Sequence, residues 1–412
     1  MFRESPALHF YVLQFLGFGY LLYRLASRDY TVYGFLTEEM FNYPRRPPWM
    51  EIPLLHFTTF QWIYAFIPRP TPEVIFWLQV IGIIACVAGM IGLRPRWCAV
   101  VAFLIGSHLA GMMQASNSEV DGGELVHCLL LVLALSPATN FYGPATGFNL
   151  SKRSPDHHWP VFLWFLIIGS WYTMSGLNKL IDVGPHWPFV LRLENLAAWD
   201  IEKSIFLASK YANAKVAALH SSPAFSVFGG FMTLAGELFF LPVILWWPRL
   251  RPAFVFVMIA FHLLVFWLTG INFVGSAILL VTCLDWNALV RNVKVYYDDA
   301  CGFCTRSVAS VKRFDWFNRI HPSPISQLRD ETQRFDLARL KDAMGLEDEN
   351  GEIYYGADAF EQIATRCPLL LPFSLFMKIP GAVYPARYVY GIIARNRTKL
   401  GCSLNGACRP TP

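Results

Sequence analysis

The chain has 412 residues, of which 55% are hydrophobic, 16% aromatic and 15% charged. Soluble domains carry roughly 25% charged residues, so this composition predicts an integral membrane protein with the lipid bilayer as its first partner. The net charge of +5 comes from Lys and Arg spread over many short connections, which fits helix orientation in a membrane and excludes a nucleic-acid footprint.

Long apolar segments fill the first two thirds of the chain. A helix that crosses a bilayer needs about 20 mostly apolar residues, and this rule predicts about eight transmembrane helices. They lie at residues 8–25, 73–93, 97–115, 122–138, 160–181, 223–247, 252–270 and 271–289. The first segment has no small-residue cleavage site and is predicted to be an anchor rather than a signal peptide. We therefore expect a membrane all-α multi-helix bundle.

The charges in the short connections predict the orientation of these helices. Basic pairs fall on one side of the predicted bundle, at Arg94 and Arg96, Lys152 and Arg153, Arg249 and Arg251, and Arg291 and Lys294. The connections 116–123 and 269–272, on the other side, contain no Lys or Arg. By the positive-inside rule this predicts a multi-pass protein whose N-terminus and C-terminal domain are cytoplasmic.

The composition changes abruptly near Val293, where apolar runs give way to mixed charge such as KRFDWFNR and GLEDENGE. We therefore predict two domains, a transmembrane domain at 1–290 and a separate domain at 291–412. The second is long enough to bury a small core of its own. Its alternation of strand-like and helix-like segments predicts an α/β thioredoxin-like domain.

The stretch VYYDDACGFCTRSV (295–308) carries the clearest chemical signal. A β-branched and aromatic run predicts a strand, and CTRSVASVKRF predicts a helix, so Cys301 and Cys304 fall at a strand-to-helix turn. The N-terminus of a helix favours a thiolate at Cys301, the form that attacks disulfides. Cys301 and Cys304 are thus predicted to be catalytic and to form a redox-active disulfide that reacts with a protein or peptide thiol.

A structural zinc site is the alternative for these cysteines. The C-terminal stretch CSLNGAC supplies Cys402 and Cys408, which could complete four ligands with Cys301 and Cys304. The wide spacing of the second pair is unusual for a zinc knuckle, so zinc is the less favoured cofactor. Cys402 and Cys408 could equally form a second redox pair, and both are retained as supporting residues.

The stretch YDDACGFC resembles the hallmark of the DCC family of thiol-disulfide oxidoreductase-like proteins, Tyr-Asp-Gly-x-Cys-x-x-Cys. Asp298 matches the aspartate of the family, whereas Asp299 stands where the family usually has glycine. Asp tolerates a left-handed backbone better than most residues. The resemblance continues through YYGADAFEQIA (354–364) and YGIIARNRTKLG (390–401). It implies a dithiol redox capability, with Asp298 as a supporting residue, and leaves the substrate open.

The segment WYTMSGLNKLID (171–182) places polar residues on one face of a predicted membrane helix. Tyr172, Ser175, Gly176 and Lys179 are spaced at i, i+3, i+4 and i+7, so a lysine lies above a notch of small residues. Such a notch allows another helix or a ligand to approach closely. A snorkelling lysine at the end of its helix is the alternative interpretation of Lys179.

Two further polar residues, Glu237 and His262, lie well inside predicted spans. Polar groups in such positions are costly and often functional. The structural alternative is a hydrogen-bonded pair between Glu237 and His262 that joins two helices.

The stretch SGLNKL (175–180) resembles the Gly-x-x-Lys-Leu stretch of vitamin K-dependent γ-carboxylase and of the wider HTTM family. The stretch GGFMTLAGELFFLPVILWWPRLRPAFVFVMIAFHLLVFWLTGINF, which includes His262, is similar to a later helix pair of that family. The resemblance covers about residues 5–290. It implies that Lys179 is the base that deprotonates a reduced naphthoquinone or another quinone, since desolvation makes a lysine a usable base.

The resemblance also implies a ligand site. At one stretch, however, the chain departs from the family. Tyr172, Ser175 and Gly176 are predicted to bind the quinone. The carboxylase has an Asn-Asn-His stretch where this chain has VDGGELVH (120–127), and His127 lies about one helical turn further on. His127 is therefore retained only as a supporting residue.

Three functions are consistent with the sequence. The favoured one is a membrane redox enzyme that couples a lipid-soluble quinone-like substrate in the bundle with thiol-disulfide exchange at the dithiol. The second is a carboxylase-like enzyme that modifies a peptide substrate. The third is a non-catalytic scaffold or a proton or ion relay with a zinc-binding tail.

Overall fold

The structure of the chain is a computed structural model. It describes residues 4–35, 68, 70–116, 124–137, 150–190, 222–269, 273–328, 336–379 and 381–402. The chain divides into two compact units, Met1–Leu284 and Asp285–Pro412. The sequence-based boundary lay a few residues later, at 290.

The first unit is helical. Its main helices are Leu8–Ser27 (α1), Pro72–Met90 (α2), Pro95–Ser116 (α3), Glu124–Leu135 (α4), Pro155–Asp182 (α5), Pro223–Leu238 (α6), Phe240–Trp246 (α7), Arg251–Thr269 (α8) and Val274–Leu280 (α9). Two-residue strands at Ser5–Pro6 and Arg153–Ser154 pair antiparallel and join the start of α1 to the start of α5.

The core of this unit is built around α1, which packs against α2, α3, α4, α5 and α9. Apolar side chains of α1, such as Phe10, Leu13 and Phe18, are fully buried. Several large apolar side chains of α2 and α8 are exposed, among them Trp77 and Phe256. An outer surface of this kind fits a lipid environment, where the exposed side chains contact hydrocarbon.

Eight transmembrane helices are not confirmed. Within the described ranges three helices are long and apolar enough to cross a membrane, Pro72–Met90, Pro95–Met113 and Pro155–Asp182, and a fourth span results if α6 and α7 count as one. The predicted spans at 122–138 and 271–289 correspond to shorter helices, Leu125–Leu135 and Val274–Cys283. At about 1.5 Å per residue they fall short of a hydrocarbon core of about 30 Å.

The second unit contains a four-stranded sheet covered by helices. Its strands are Val293–Tyr297 (β1), Ile320–Pro324 (β2), Gly345–Asp348 (β3) and Ile353–Tyr355 (β4). Its helices are Gly302–Arg313 (α10), Leu337–Asp342 (α11), Ala357–Ala364 (α12), Leu371–Met377 (α13) and Val383–Cys402 (α14).

The strand order is β2-β1-β3-β4. β1 and β2 are parallel, with Val293 opposite Ile320, whereas β3 runs antiparallel to both β1 and β4. Parallel strands need a crossover connection, which α10 provides. The first half of the unit is therefore a β-α-β unit and the second half begins with an antiparallel hairpin.

Alternation along β1 directs its side chains to the two faces of the sheet. Val293 and Val295 join the main core with Val308 of α10 and Ile363 of α12. Tyr296 packs on the other face against Leu340 of α11. β1 is thus buried on both faces, and its C-terminal end holds the turn that carries the dithiol.

The connection from α10 to β2 is organised by Asp315. Its carboxylate accepts hydrogen bonds from Lys312 Nζ at 2.7 Å, from the Arg319 amide at 2.8 Å and from the Ile320 amide at 2.9 Å. Desolvation raises the pKa of Asp315, but these hydrogen bonds outweigh it and lower the pKa overall. The carboxylate therefore fixes the start of β2 beside β1, and with it the position of α10.

Candidate functional site

The dithiol lies at the turn between β1 and α10. Cys301 is the N-cap of α10, and its sulfur accepts a hydrogen bond from the Cys304 amide at 3.4 Å. The Cys301 amide donates to the Asp298 carbonyl at 3.2 Å, and the Asp298 carboxylate accepts from the Ala300 amide at 3.0 Å. The first amides of a helix lack acceptors within the helix, so a negative charge on Cys301 would be stabilised there.

Cys304 lies one turn further into α10 and is partly buried. Burial, together with the hydrogen bond and the charge interaction with Cys301, raises the pKa of Cys304 to about 12, so it is a thiol at neutral pH. The Cys304 amide points to the sulfur of Cys301. The two cysteines therefore differ. The Cys301 sulfur accepts a hydrogen bond from a backbone amide, whereas the Cys304 sulfur carries a proton at neutral pH.

Asp299 does not take the left-handed backbone that its alignment with a family glycine suggested. The described non-glycine residues with positive φ are Arg94 and Asn318. The Asp299 carboxylate instead accepts hydrogen bonds from the Ser326 hydroxyl at 2.7 Å and from the Ser326 amide at 3.3 Å. The hydroxyl lowers the pKa of Asp299. This side chain thus ties the dithiol turn to the segment after β2, a contact that glycine could not make.

Helix α14 brings two residues towards the dithiol from the far end of the chain. It packs against α10 and α12. Arg397 Nη2 lies 4.0 Å from Asp298 Oδ2, and the Tyr390 hydroxyl accepts a hydrogen bond from the Met344 amide at 3.0 Å. The sequence prediction included the stretch YGIIARNRTKLG but assigned no role to Arg397 or Tyr390. The available signal for both residues was their position in a stretch that resembles the DCC family, where Arg397 is charged and Tyr390 can form a hydrogen bond.

In the first unit, Lys179 pairs with Glu237 across α5 and α6. Lys179 Nζ lies 2.7 Å from Glu237 Oε2 and 2.9 Å from Oε1, and their side chains are 24% and 13% exposed. Lys179 also donates to Ser175 Oγ at 2.9 Å, and Ser175 donates to Glu237 Oε1 at 3.3 Å. The ammonium group lies 5.5 Å from the centre of the Trp187 ring. Three of the predicted polar residues therefore form one cluster.

Gly176 allows the close approach that this cluster requires. A Cβ at position 176 would lie 3.0 Å from Glu237 Cβ and 3.1 Å from Leu238 Cγ. Both contacts are tighter than ordinary van der Waals packing, so the missing side chain lets α6 lie close to α5. In the structure this notch is occupied by a helix of the same chain.

Tyr172 and His262 form a second pair. The Tyr172 hydroxyl lies 3.0 Å from His262 Nε2, and His262 Nδ1 lies 2.8 Å from the Met258 carbonyl. Tyr172 also stacks on Phe240 with ring centres 4.4 Å apart. The hydrogen-bonded pair between Glu237 and His262, which the sequence offered as a structural alternative, is not the arrangement found. Glu237 pairs with Lys179, and His262 pairs with Tyr172.

Thr173 is a residue of this region that the sequence patterns did not single out. Helices α6 and α7 meet at a bend of 45° near Phe239. Thr173 Oγ1 donates to the Glu237 carbonyl at 3.2 Å and accepts from the Leu241 amide at 3.3 Å, so it bridges the broken backbone. Pro242, which cannot donate a hydrogen bond, was the available signal for a bend. The bend places the carboxylate of Glu237 at a helix end.

The other predicted residues lie apart from these clusters or outside the described residues. His127 is buried, and a Cβ at Gly106 would lie 3.2 Å from its Nε2. The side chain of Cys402 and all of Cys408 lie outside the described residues. Among the described side chains, no group of three or more His, Cys, Asp or Glu residues is arranged to hold a metal ion.

Comparison with known proteins adds one finding. No curated protein and no solved structure matches the chain. A protein-family model does match, and it covers the unit that contains the dithiol. Residues 295–403 match the DCC1-like thiol-disulfide oxidoreductase family, which confirms the predicted resemblance for the C-terminal part of the chain.

Proposed function

We propose that the C-terminal unit is a thiol-disulfide oxidoreductase that works through Cys301 and Cys304. The observation that carries this proposal is the difference between the two cysteines. The sulfur of Cys301, at the helix N-cap, accepts a hydrogen bond from the backbone amide of Cys304, whereas burial raises the pKa of the Cys304 thiol. The β-α-β unit followed by an antiparallel hairpin and α12 supports a thioredoxin-like fold. The family match supports thiol redox activity.

The proposed reaction proceeds in two exchanges. The Cys301 thiolate attacks one sulfur of a disulfide, a mixed disulfide forms, and the first thiolate leaves and is protonated. Cys304 then loses its proton and attacks the Cys301 sulfur, which releases the second thiol and leaves a disulfide between Cys301 and Cys304. The substrate gains two electrons from the cysteine pair and takes up two protons, of which Cys304 supplies one and solvent supplies the other. The reverse sequence would oxidise a substrate dithiol.

The full-length protein in detergent or nanodiscs tests this proposal. We expect equilibration in glutathione buffers of graded potential to convert Cys301 and Cys304 together between thiols and a disulfide, as followed by alkylation and peptide mass spectrometry. The conversion should disappear in Cys301→Ser and persist in Cys98→Ser, a cysteine of the helical unit. Zinc bound stoichiometrically by the C-terminal cysteines, or a pair that resists oxidation at every potential, would overturn the proposal.

We also propose that this unit lies on the cytoplasmic side. The support is the asymmetry of Lys and Arg between the short connections of the helical unit. A membrane-impermeant thiol reagent added to intact cells is expected to leave Cys301 and Cys304 unlabelled, and the same reagent should label them once the cells are permeabilised. Labelling in intact cells would reverse the proposed orientation.

For the helical unit we propose a binding site for a lipid-soluble redox partner of the quinone class. The support is the polar cluster of Lys179, Ser175 and Glu237 next to a bent helix in an apolar unit, together with the sequence resemblance of this region to the HTTM family. A diffusing quinone could exchange electrons with the dithiol without direct contact between the two sites. Lys179 is the residue on which this part of the proposal is tested below.

A further inference from the structure

Arg397 reaches the dithiol turn from the last helix of the unit. Its guanidinium Nη2 lies 4.0 Å from Asp298 Oδ2, and the two side chains are 20% and 27% exposed. Asp298 precedes the N-cap of α10 by three residues, and α14 packs along α10. A positive charge therefore lies in a partly shielded position beside the turn that carries both cysteines.

The charges that face Cys304 do not act in the same direction. Burial is the largest contribution that raises its pKa, and the negative charges of Cys301 and Asp298 raise it further, whereas Arg397 lowers it. Tyr390, also on α14, interacts electrostatically with Cys304, but burial raises the pKa of Tyr390 and its hydroxyl accepts a hydrogen bond from the Met344 amide. Among the described groups that interact with Cys304, Arg397 is thus the cation that favours its thiolate.

We propose that Arg397 is a positioning residue for the second exchange, in which its positive charge stabilises the thiolate that Cys304 must form before it attacks Cys301. The proposal rests on the thiol-disulfide function proposed above. In this step the Cys304 proton goes to solvent, the Cys304 sulfur bonds to the Cys301 sulfur, and the bond from Cys301 to the substrate breaks. The released substrate thiolate takes up a proton, so atoms and electrons balance.

The ordinary alternative is a surface ion pair between Arg397 and Asp298 with no part in the reaction. Partly exposed pairs at a separation of 4.0 Å contribute little to stability. If that alternative holds, replacement of Arg397 changes the thermal midpoint only slightly. It also leaves the ratio between the rates of the first and second exchanges unchanged. The two roles are therefore separated by kinetics rather than by stability.

The test uses the reduced full-length protein and a chromogenic aromatic disulfide that releases one coloured thiolate in each exchange. In wild type we expect two phases, the second of which is missing in Cys304→Ser. Arg397→Gln should slow the second phase about tenfold near neutral pH and move its pH midpoint upwards, the effect of losing one favourable charge. Arg397→Lys should restore part of the rate, and the first phase should change little.

Arg395 provides the matched control, because it lies on the same helix and is exposed, with its Nε donating to the Gly391 carbonyl. Arg395→Gln should leave both phases unchanged. The inference is overturned if Arg397→Gln leaves the second phase unchanged, or slows both phases equally. If the wild type itself shows no second phase, the proposed function fails instead, so the two failures are distinguishable.

Discussion

Replacement of Cys304 by serine is expected to arrest the proposed reaction at a covalent mixed disulfide. Cys301 keeps its place at the N-cap of α10, and residue 304 keeps its backbone amide, so the first exchange can proceed. A serine hydroxyl cannot carry out the second exchange, because only a thiolate attacks the mixed disulfide. We expect overall turnover to fall to the rate without protein, and a substrate adduct of Cys301 to accumulate.

The reciprocal variant provides the contrast. Cys301→Ser should lose turnover to the same extent but trap no adduct, because the remaining Cys304 is partly buried and this burial raises its pKa. Non-reducing gels and peptide mass spectrometry of the full-length protein measure the adduct, and the Cys98→Ser protein serves as the control. Equal trapping by Cys301→Ser and Cys304→Ser would show that the assigned roles are wrong.

The dithiol turn could be read from the sequence because its determinants are local. A β-branched and aromatic run predicted the strand that the structure has at Val293–Tyr297, and the helix predicted from CTRSVASVKRF is found at Gly302–Arg313. The position of Cys301 at the helix start follows from this short stretch alone. By contrast, the approach of Arg397 depends on how α14 packs, which no local pattern specifies.

In the helical unit, too, local sequence patterns do not specify which residues of different helices come into contact. Spacing at i, i+3, i+4 and i+7 predicts one helical face for Tyr172, Ser175, Gly176 and Lys179, but it could not say which residue of another helix would meet them. The pairing of Glu237 with Lys179 instead of His262 is decided by the bend between α6 and α7 and by the tight approach at Gly176.

The predicted number of spans is not confirmed in the described ranges for a related reason. Counting apolar residues does not detect where a helix ends. The predicted span at 271–289 contains a helix, Val274–Leu280, that passes into short 3-10 turns at Val281–Cys283 and Trp286–Val290. A segment can therefore be apolar enough for lipid and still be too short as a continuous helix to cross it.

Removal of the Lys179 side chain is expected to destabilise the helical unit. The Glu237 side chain is 13% exposed and makes its closest contact with Lys179 Nζ, at 2.7 Å. Lys179→Ala leaves this carboxylate without its counter-ion, and we expect a loss of about 2–3 kcal/mol, somewhat below the cost of breaking a fully buried pair. A lower thermal midpoint of the detergent-solubilised protein measures it. Lys179→Ala combined with Glu237→Ala should recover much of the loss, because no unpaired charge remains.

Lys179→Arg separates the structural role of this residue from the proposed role as a base. Arginine keeps the positive charge opposite Glu237, so we expect the thermal midpoint to stay close to that of the wild type. A guanidinium does not give up its proton at physiological pH, so a reaction that needs Lys179 as a base should stop. The measurement is oxidation of a reduced short-chain naphthoquinone by the Arg variant, with an excess of a small disulfide as the acceptor of the two electrons and two protons. We expect turnover to be lost with the midpoint retained. Full turnover would limit Lys179 to its ion pair with Glu237 and assign the redox chemistry of the chain to Cys301 and Cys304 alone.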